Sequence, residues 1–310
     1  MKSFKALVKR EYWEHRGAIF KTPAIMAAVF AGLMLLGALT GDAIVGNNIV
    51  GENGDRVSVA EKLPVLMKHM EGMGAEEREQ IVQTSLSSPV MLFGGVMIII
   101  SIFFALGSLY DERKDRSILF WKSLPVSDTA TVLSKLVAIC LMVPVSYFVV
   151  ITVFQLFLLV FATVVAWFGG SSGLSIWAAS DLFSVIFNSF FSLIMSTLWM
   201  APLWGWLMLA SAWAKRVAFM WAAIPMVMIV AAEGYLFHTI RFLEMLGYRF
   251  QQGFAIQNDS FNQSIGGHML EENAMHWTKV FTNSDFWSGL AVAAVFIAAA
   301  IYTRRFRDES

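Results

Sequence analysis

Long apolar runs alternate with shorter polar segments along the whole chain, and six of these runs predict membrane-spanning helices. A helix needs roughly 20 apolar residues to cross the hydrocarbon core of a bilayer. The runs are continuous and do not alternate residue by residue, which excludes the strands of an outer-membrane barrel. We place the six predicted spans at Ala24–Thr40, Val90–Leu109, Leu136–Phe168, Leu182–Trp213, Val217–Phe237 and Phe286–Tyr302. The third and fourth runs are longer than a bilayer requires, so we expect them to tilt or to project beyond it.

The composition agrees with an all-α membrane protein of six transmembrane helices. Of the 310 residues, 57% are hydrophobic and only 15% are charged, and the mean hydropathy is +0.62. A soluble chain is nearer one quarter charged. The single cysteine, Cys140, lies in the third predicted span and cannot form a disulfide within the chain. A lone thiol in a membrane helix is more typical of packing than of chemistry.

The distribution of basic residues predicts how the chain is oriented. If the N-terminus is cytoplasmic and the six helices alternate in direction, 16 of the 23 Lys and Arg residues lie on the cytoplasmic side. The remaining 7 lie on the outer side, although the outer loops are longer. Short cytoplasmic connections of multi-pass membrane proteins are enriched in Lys and Arg. We therefore expect both termini to be cytoplasmic.

Residues 1–21 predict an amphipathic helix on the cytoplasmic membrane surface. Apolar side chains recur near one helical face, namely at Phe4, Leu7, Val8, Tyr12 and Ile19. Charged side chains occupy the other faces, as in helices that lie in the membrane interface. Thr22 and Pro23 then predict an N-cap and a first-turn proline for the first span. The basic leader is too long for an ordinary signal peptide, so we expect this helix to be retained.

Two outer loops, at about 42–89 and 238–285, hold most of the residues outside the predicted spans. In the first loop, Ser58–Glu61 has the form of a capping box, followed by apolar residues at helical spacing. Ala75–Ser85 predicts a second short helix there. The second loop is rich in Asn, Gln and Gly, and we expect it to be partly helical. Neither loop is large enough to indicate an independent enzymatic domain.

Two clusters in these loops have side chains that could bind a metal. The first loop contains Met67, His69, Met70 and Met73, and thioether sulfurs suit copper. In the second loop, His268 and His276 flank a pair of glutamates. Packing is the more typical use of Met and His on a helix face, so we assign no metal site.

The motifs that carry familiar catalytic chemistry are absent from the sequence. It contains no G-x-x-x-x-G-K-[ST] phosphate-binding loop, no H-E-x-x-H, no G-x-S-x-G and no paired cysteines at zinc spacing. We therefore expect no catalytic residues and no bound cofactor on this chain.

Polar residues within the predicted spans have two interpretations each. Gln155, Asn188, Ser192 and Ser196 could line a translocation path, or they could form hydrogen bonds between helices, which is the commoner use. Glu233 lies near the end of the fifth run. It could face a cavity in the bundle or sit at the outer interface.

Four tryptophans of the fourth run predict an aromatic belt at the membrane interface. They are Trp199, Trp204, Trp206 and Trp213.

The connection between the second and third spans, residues 110–128, reads YDERKDRSILFWKSLPVSD. Its charged part needs water, and its apolar part needs a partner or the membrane surface. A short helix that docks on a protein below the bilayer meets both needs, and so does an interfacial loop without a partner. The residues in question are Asp111, Glu112, Arg113, Lys114, Asp115, Arg116, Ser117, Ile118, Leu119, Phe120, Trp121 and Lys122.

Three features together resemble the permease subunit of an ABC type-2 exporter. The stretch KREYWEHRGAIFKTP is similar to the interfacial connecting helix of bacterial members, and the 110–128 loop is similar to their cytoplasmic coupling segment. The third feature is the six-span arrangement with both termini inside, which extends over essentially the whole chain. The substantial outer loop after the first span departs from the polysaccharide and lipid exporters, so the transported substrate stays open.

The resemblance implies a division of labour between subunits. Two permease chains, expected to be identical, would form the path in the bacterial inner membrane. Two separate ATPase subunits would bind ATP and Mg²⁺, with Asp111–Lys122 as the coupling helix set into each ATPase. No nucleic acid would be involved.

Other classes of protein give two alternatives. The chain could be a membrane-embedded enzyme that uses Glu233, His238 or the outer histidines. It could also be a scaffold or sensor that transports nothing.

Overall fold

We describe the protein from a computed structural model. The structure describes residues 2–40, 72, 74–118, 126–168, 173–259 and 276–306. Several predictions fall outside the described residues: the capping box, the Met67 to Met73 cluster, His268 with its glutamates, and Leu119, Phe120, Trp121 and Lys122 of the charged connection.

The described part of the chain is helical, and no strand occurs within it. The α-helices are α1 (Lys2–Arg16), α2 (Thr22–Thr40), α3 (Ala75–Gly107), α4 (Tyr110–Lys114), α5 (Asp128–Val137), α6 (Val143–Phe168), α7 (Leu174–Ala179), α8 (Leu182–Trp199), α9 (Ala201–Trp213), α10 (Ala218–Phe237), α11 (Arg241–Gln257) and α12 (Ser284–Phe306). A 3₁₀-helix at Trp277–Thr282 precedes α12, and π-helical turns at Gly17–Lys21 and Ala138–Met142 join α1 to α2 and α5 to α6.

Six helices are long and apolar enough to cross a membrane, which confirms the prediction of a multi-pass membrane protein. They cover Phe4–Leu39, Ala75–Lys114, Asp128–Phe168, Leu182–Trp199, Ala218–Phe237 and Ser284–Phe306. Each overlaps one of the six apolar runs of the sequence, and Leu182–Trp199 covers only the first part of the fourth run. The helix α10 buries little of its surface, and large apolar side chains such as Val227 and Met228 are exposed on it, as expected of a helix that faces lipid.

The predicted N-cap at Thr22 is wrong, because the first span has no separate beginning there. Thr22 has helical dihedral angles of −59° and −55° and follows directly from the π-helical turn Gly17–Lys21. Its hydroxyl donates to the carbonyl oxygen of Gly17 at 3.1 Å. Pro23 has no N–H to donate to the preceding turn, and the wider π-helical turn accommodates it. The amphipathic helix and the first span are therefore joined without a break at Thr22, although the chain is kinked at His15, where the dihedral angles are −108° and 15°.

Two further boundaries differ from the prediction. Ala75–Ser85 does not form a short helix of its own, because it is the first part of α3, which runs on through Pro89 to Gly107. The fourth predicted span is broken at Met200, where the dihedral angles are −82° and 8°. Pro202 explains this break, since its ring clashes with the carbonyl four residues before it and it donates no hydrogen bond.

The core lies between α3, α6, α8 and α9, and its largest buried side chains include Phe93, Tyr147, Trp199 and Trp204. Trp199 and Trp204 thus pack inside the bundle and do not form the predicted interfacial belt. The N-terminal helix and the end of α12 meet at one end of the bundle, since Arg10 and Arg304 both contact Glu112. We call this the terminal end.

Candidate functional site

The charged connection begins at the terminal end with its first turn fixed on the end of α9. The hydroxyl of Ser211 accepts hydrogen bonds from the backbone N–H groups of Leu109 at 3.0 Å and Tyr110 at 2.9 Å. Arg113 Nη2 donates to the carbonyl oxygens of Ser211 at 2.6 Å and Ala214 at 2.9 Å. These carbonyls lie at the C-terminal end of a helix, where the helix itself supplies no donor. Arg113 therefore holds the connection to α9.

Glu112, in the first turn of α4, is only 6% exposed and accepts from three cations. Its Oε1 lies 3.0 Å from Lys135 Nζ and 3.0 Å from Arg10 Nη2. Its Oε2 lies 2.6 Å from Arg304 Nη1. A buried carboxylate is costly unless it is paired and hydrogen-bonded, and here both oxygens are paired.

A second carboxylate, Glu11 of α1, completes the cluster. Glu11 is fully buried, and its Oε1 and Oε2 lie 3.2 Å and 3.3 Å from Lys135 Nζ. Its neighbour Arg10 also pairs with it. Lys135 is 2% exposed and so bridges the two buried glutamates. On the other side, Arg304 Nε contacts Asp128 Oδ1 at 3.0 Å.

We call these six residues, three carboxylates and three cations, the ion network: Arg10, Glu11, Glu112, Asp128, Lys135 and Arg304. Its charges balance, so no net charge is left in the interior. The network joins α1, the charged connection, both ends of α5 and the end of α12. Removing one partner of a buried ion pair leaves the other charge buried and unpaired, which is strongly destabilising. Movement of any one of these elements away from the others therefore costs free energy.

The rest of the charged connection divides into exposed and buried parts. Asp111, Lys114, Asp115 and Arg116 are exposed to solvent, while Ile118 is buried at 3% exposure. Of the predicted coupling residues, Glu112 and Arg113 therefore point into the chain, and the four exposed residues are open to a partner. Ser117, half-buried, donates to the carbonyl oxygen of Glu112 at 3.2 Å.

Of the residues predicted for a translocation path, Gln155 forms hydrogen bonds to two other helices. Gln155 is fully buried, and its Nε2 donates to the carbonyl oxygen of Leu86 at 2.9 Å and to Ser189 Oγ at 3.3 Å. This links α6 to α3 and α8. Ser192 and Ser196, also fully buried, lie on the same helix α8.

Asn188 makes a second set of hydrogen bonds on α8. Its Nδ2 donates to Ser184 Oγ at 3.3 Å, and its Oδ1 accepts from Trp277 Nε1 at 3.2 Å. The contact with Trp277 joins α8 to the 3₁₀-helix, whereas the contact with Ser184 lies within α8.

Glu233 does not join the other four. Its Oε1 accepts from Thr239 Oγ1 at 2.8 Å and from the backbone N–H of Arg241 at 2.9 Å, and its Oε2 accepts from the N–H of Phe242 at 2.9 Å. Those backbone groups open α11, so Glu233 caps that helix and fixes the turn after α10. A carboxylate is favourable at a helix N-terminus.

Among the described residues, Glu11, Glu14 and His15 are close enough together to hold a metal ion. Glu11 is already paired with Lys135 and Arg10, and Glu14 Oε2 lies 3.6 Å from Arg10 Nε. Because both carboxylates already have cationic partners, we assign no metal to this group.

Sequence reasoning missed the ion network. In the sequence, Lys135 and Arg304 served only as positive charges that predict the orientation of the chain. Glu11 was not singled out as a candidate site residue. One signal was present: Glu11 follows Leu7 by four residues and so lies on the apolar face of α1. A lone carboxylate on a buried face indicates a buried cation elsewhere in the chain.

Comparison of the chain with protein-family models, curated proteins and solved structures finds no match. The functional conclusion therefore depends on the geometry and on the sequence patterns alone.

Proposed function

We propose that this chain is the permease subunit of an ATP-driven exporter of the ABC type-2 class. Two copies, each with both termini in the cytoplasm of a bacterial inner membrane, would form the translocation path. A separate ATPase subunit would bind ATP and Mg²⁺ and would dock on the charged connection between the second and third spans.

The observation that carries this proposal is the way the charged connection is held. Glu112 ties the connection to α1, α5 and α12 through the ion network, while Lys114, Asp115 and Arg116 beside it remain exposed. An ordinary interfacial loop needs no such attachment. A segment that receives a force does, because it must be rigidly joined to the helices that it moves.

The arrangement gives the two halves of the connection different tasks. The exposed charges would select and orient the partner, as complementary charges do at interfaces. Glu112 would pass displacement of the connection on to the N-terminal helix, the third span and the sixth span. Arg113 would pass it on to α9. Rigid-body movement of helices driven by closure of a partner is a common mode of conformational change.

The test is copurification of a partner ATPase from the membranes of cells that make this chain with an affinity tag. The double variants Phe120→Ala with Trp121→Ala, and Lys114→Glu with Arg116→Glu, should each reduce the ATPase recovered per permease by tenfold or more. A single interface hot spot contributes roughly 2 kcal/mol or more, and 1.4 kcal/mol corresponds to tenfold in affinity. The partner counts only if it has a phosphate-binding loop and hydrolyses ATP in the complex.

The matched control is Lys215→Glu with Arg216→Glu, a pair of exposed basic residues that follow α9, the helix on which the connection is anchored. It should leave ATPase recovery unchanged. Equal recovery with all three variants would contradict the proposal, as would substantial ATP hydrolysis by the purified chain alone.

A further inference from the structure

A cavity of about 280 Å³ lies between α9, α10, α11 and α12. Its walls are almost entirely apolar and include Leu203, Trp206, Ile229, Leu246 and Val292. The polar side chains among the lining residues are Arg249 and Ser288. Small-molecule sites typically measure roughly 300–1,000 Å³ and combine apolar walls with a few placed polar groups. The size and lining of this cavity suit one narrow apolar chain.

Arg249 of α11 brings a positive charge to this apolar cavity. Its Nη1 donates to the carbonyl oxygen of Trp199 at 3.1 Å, and its Nη2 donates to that of Asp285 at 2.9 Å. The guanidinium lies 4.8 Å from the centre of the Trp199 ring. Within the described part of the chain, no carboxylate lies within 4.0 Å of it, although Asp285 attracts it from further away.

The cation is thus held in position but not neutralised. Burial lowers the pKa of Arg249, because a half-buried charge loses part of its hydration. An arginine nonetheless stays charged near neutral pH. An anion at this position would replace the lost hydration, and a guanidinium binds planar acid groups with two parallel hydrogen bonds.

Gly289 of α12 makes room for the guanidinium. A Cβ at this position would lie 2.4 Å from Arg249 Nη1 and 2.7 Å from Nη2. The charged group therefore lies against bare backbone in the cavity wall, where a larger residue would displace it.

We propose that this cavity binds an anionic single-chain amphiphile, with its acidic head on Arg249 and its apolar chain along Trp206, Leu246 and Val292. The exposed apolar surface of α10, which forms one wall, faces the lipid from which such a molecule would enter. Charge complementarity selects the head, and the apolar lining selects the chain. This site goes beyond the proposed transport function and does not depend on it, because binding requires only the purified chain.

The test is a titration of the purified chain, in a non-ionic detergent, with laurate, with dodecanol and with inorganic phosphate. Native mass spectrometry counts the bound molecules, and the midpoint of thermal denaturation reports stabilisation. We expect one laurate per chain, bound at least tenfold more tightly than dodecanol, and no detectable binding of phosphate alone. Arg249→Gln should abolish the preference for laurate over dodecanol. Arg241→Gln, on the same helix and exposed, should preserve it.

A variant of the apolar wall keeps the proposal testable if Arg249→Gln fails to fold. Val292→Trp fills the cavity and leaves Arg249 in place, and it should weaken laurate at least tenfold. Unchanged laurate binding in folded Arg249→Gln or Val292→Trp would overturn the proposal. Phosphate binding as tight as that of laurate would overturn it too, because the cavity would then play no part.

Discussion

The ion network and the Arg249 cavity bury cations in opposite ways. In the network, Lys135 lies between two glutamates at 3.0–3.3 Å and is 2% exposed. In the cavity, Arg249 is half-buried and contacts two backbone carbonyls and a tryptophan ring. The charge of Lys135 is neutralised by carboxylates within the chain, whereas the charge of Arg249 lies beside a cavity and can still attract an anion.

The difference separates a structural joint from a binding site. A closed set of charges is costly to open, because each member strands another when it leaves, so it suits a connection that must transmit movement. A cation bound to carbonyl dipoles alone is positioned but remains attractive to an anion. Burial of a charge is therefore not enough to indicate a ligand, and the partners already present decide it.

The largest effect should come from opening the network at its centre. Lys135→Met leaves the three carboxylates of the network with two cations, Arg10 and Arg304. It should lower the free energy of unfolding by about 3–5 kcal/mol, the usual cost of removing one partner of a buried ion pair. Denaturation of the purified chain in detergent measures it. Lys114→Met, at an exposed position, should change stability by no more than about 0.5 kcal/mol.

A double variant decides whether the cost comes from stranded charge or from lost packing. Glu11→Gln together with Lys135→Met restores the balance of charges, so it should cost less than Lys135→Met alone. Coupling between residues in one network is typically about 0.5–3 kcal/mol. Simple addition of the two single effects would mean that the network is not closed as described.

Removing the cation of the cavity should lower the free energy of unfolding by less than removing Lys135. Arg249→Met removes two hydrogen bonds from a charged donor and strands no carboxylate. Because Arg249 is only half-buried, water replaces part of the about 1.5–3 kcal/mol that each such bond is worth. We expect a loss of about 1.5–3 kcal/mol, clearly smaller than for Lys135→Met in the same assay. Asp285→Asn should cost less than about 1 kcal/mol, because this exposed carboxylate acts mainly on the N-terminus of α12. An Arg249→Met loss as large as that of Lys135→Met would erase the distinction between the two regions.

The six spans could be predicted from the sequence because spanning a membrane depends on local composition. Whether each proline breaks its helix could not be predicted from the sequence. Pro202 coincides with the break between α8 and α9, whereas Pro89 and Pro225 lie within continuous helices. The outcome depends on how the carbonyl that loses its N–H donor is satisfied and on how the neighbouring helices pack. A single sequence shows neither.

The candidate site was only half predictable for a similar reason. The 110–128 connection stood out because its charge density is local. Its attachment did not, since Glu112 pairs with Arg304, 192 positions away, and Glu11 with Lys135, 124 positions away. The docking of Phe120 and Trp121 on a partner stays a prediction.

The smallest effect tests how far the fixed geometry of the network extends along the connection. Arg116 has a positive φ of 56°, a conformation that costs a non-glycine residue roughly 1–2 kcal/mol. Glycine removes this cost, but it also gives the unfolded state more conformational freedom, which offsets part of the gain. Arg116→Gly should therefore stabilise the isolated chain by up to about 1 kcal/mol. Lys114→Gly lies in the helical turn two residues earlier and should destabilise it by about 1 kcal/mol. The opposite signs, measured by denaturation of both variants side by side, are the prediction. If both variants destabilise the chain equally, Arg116 does not hold its left-handed conformation, and the rigid part of the connection ends with the residues that the ion network holds.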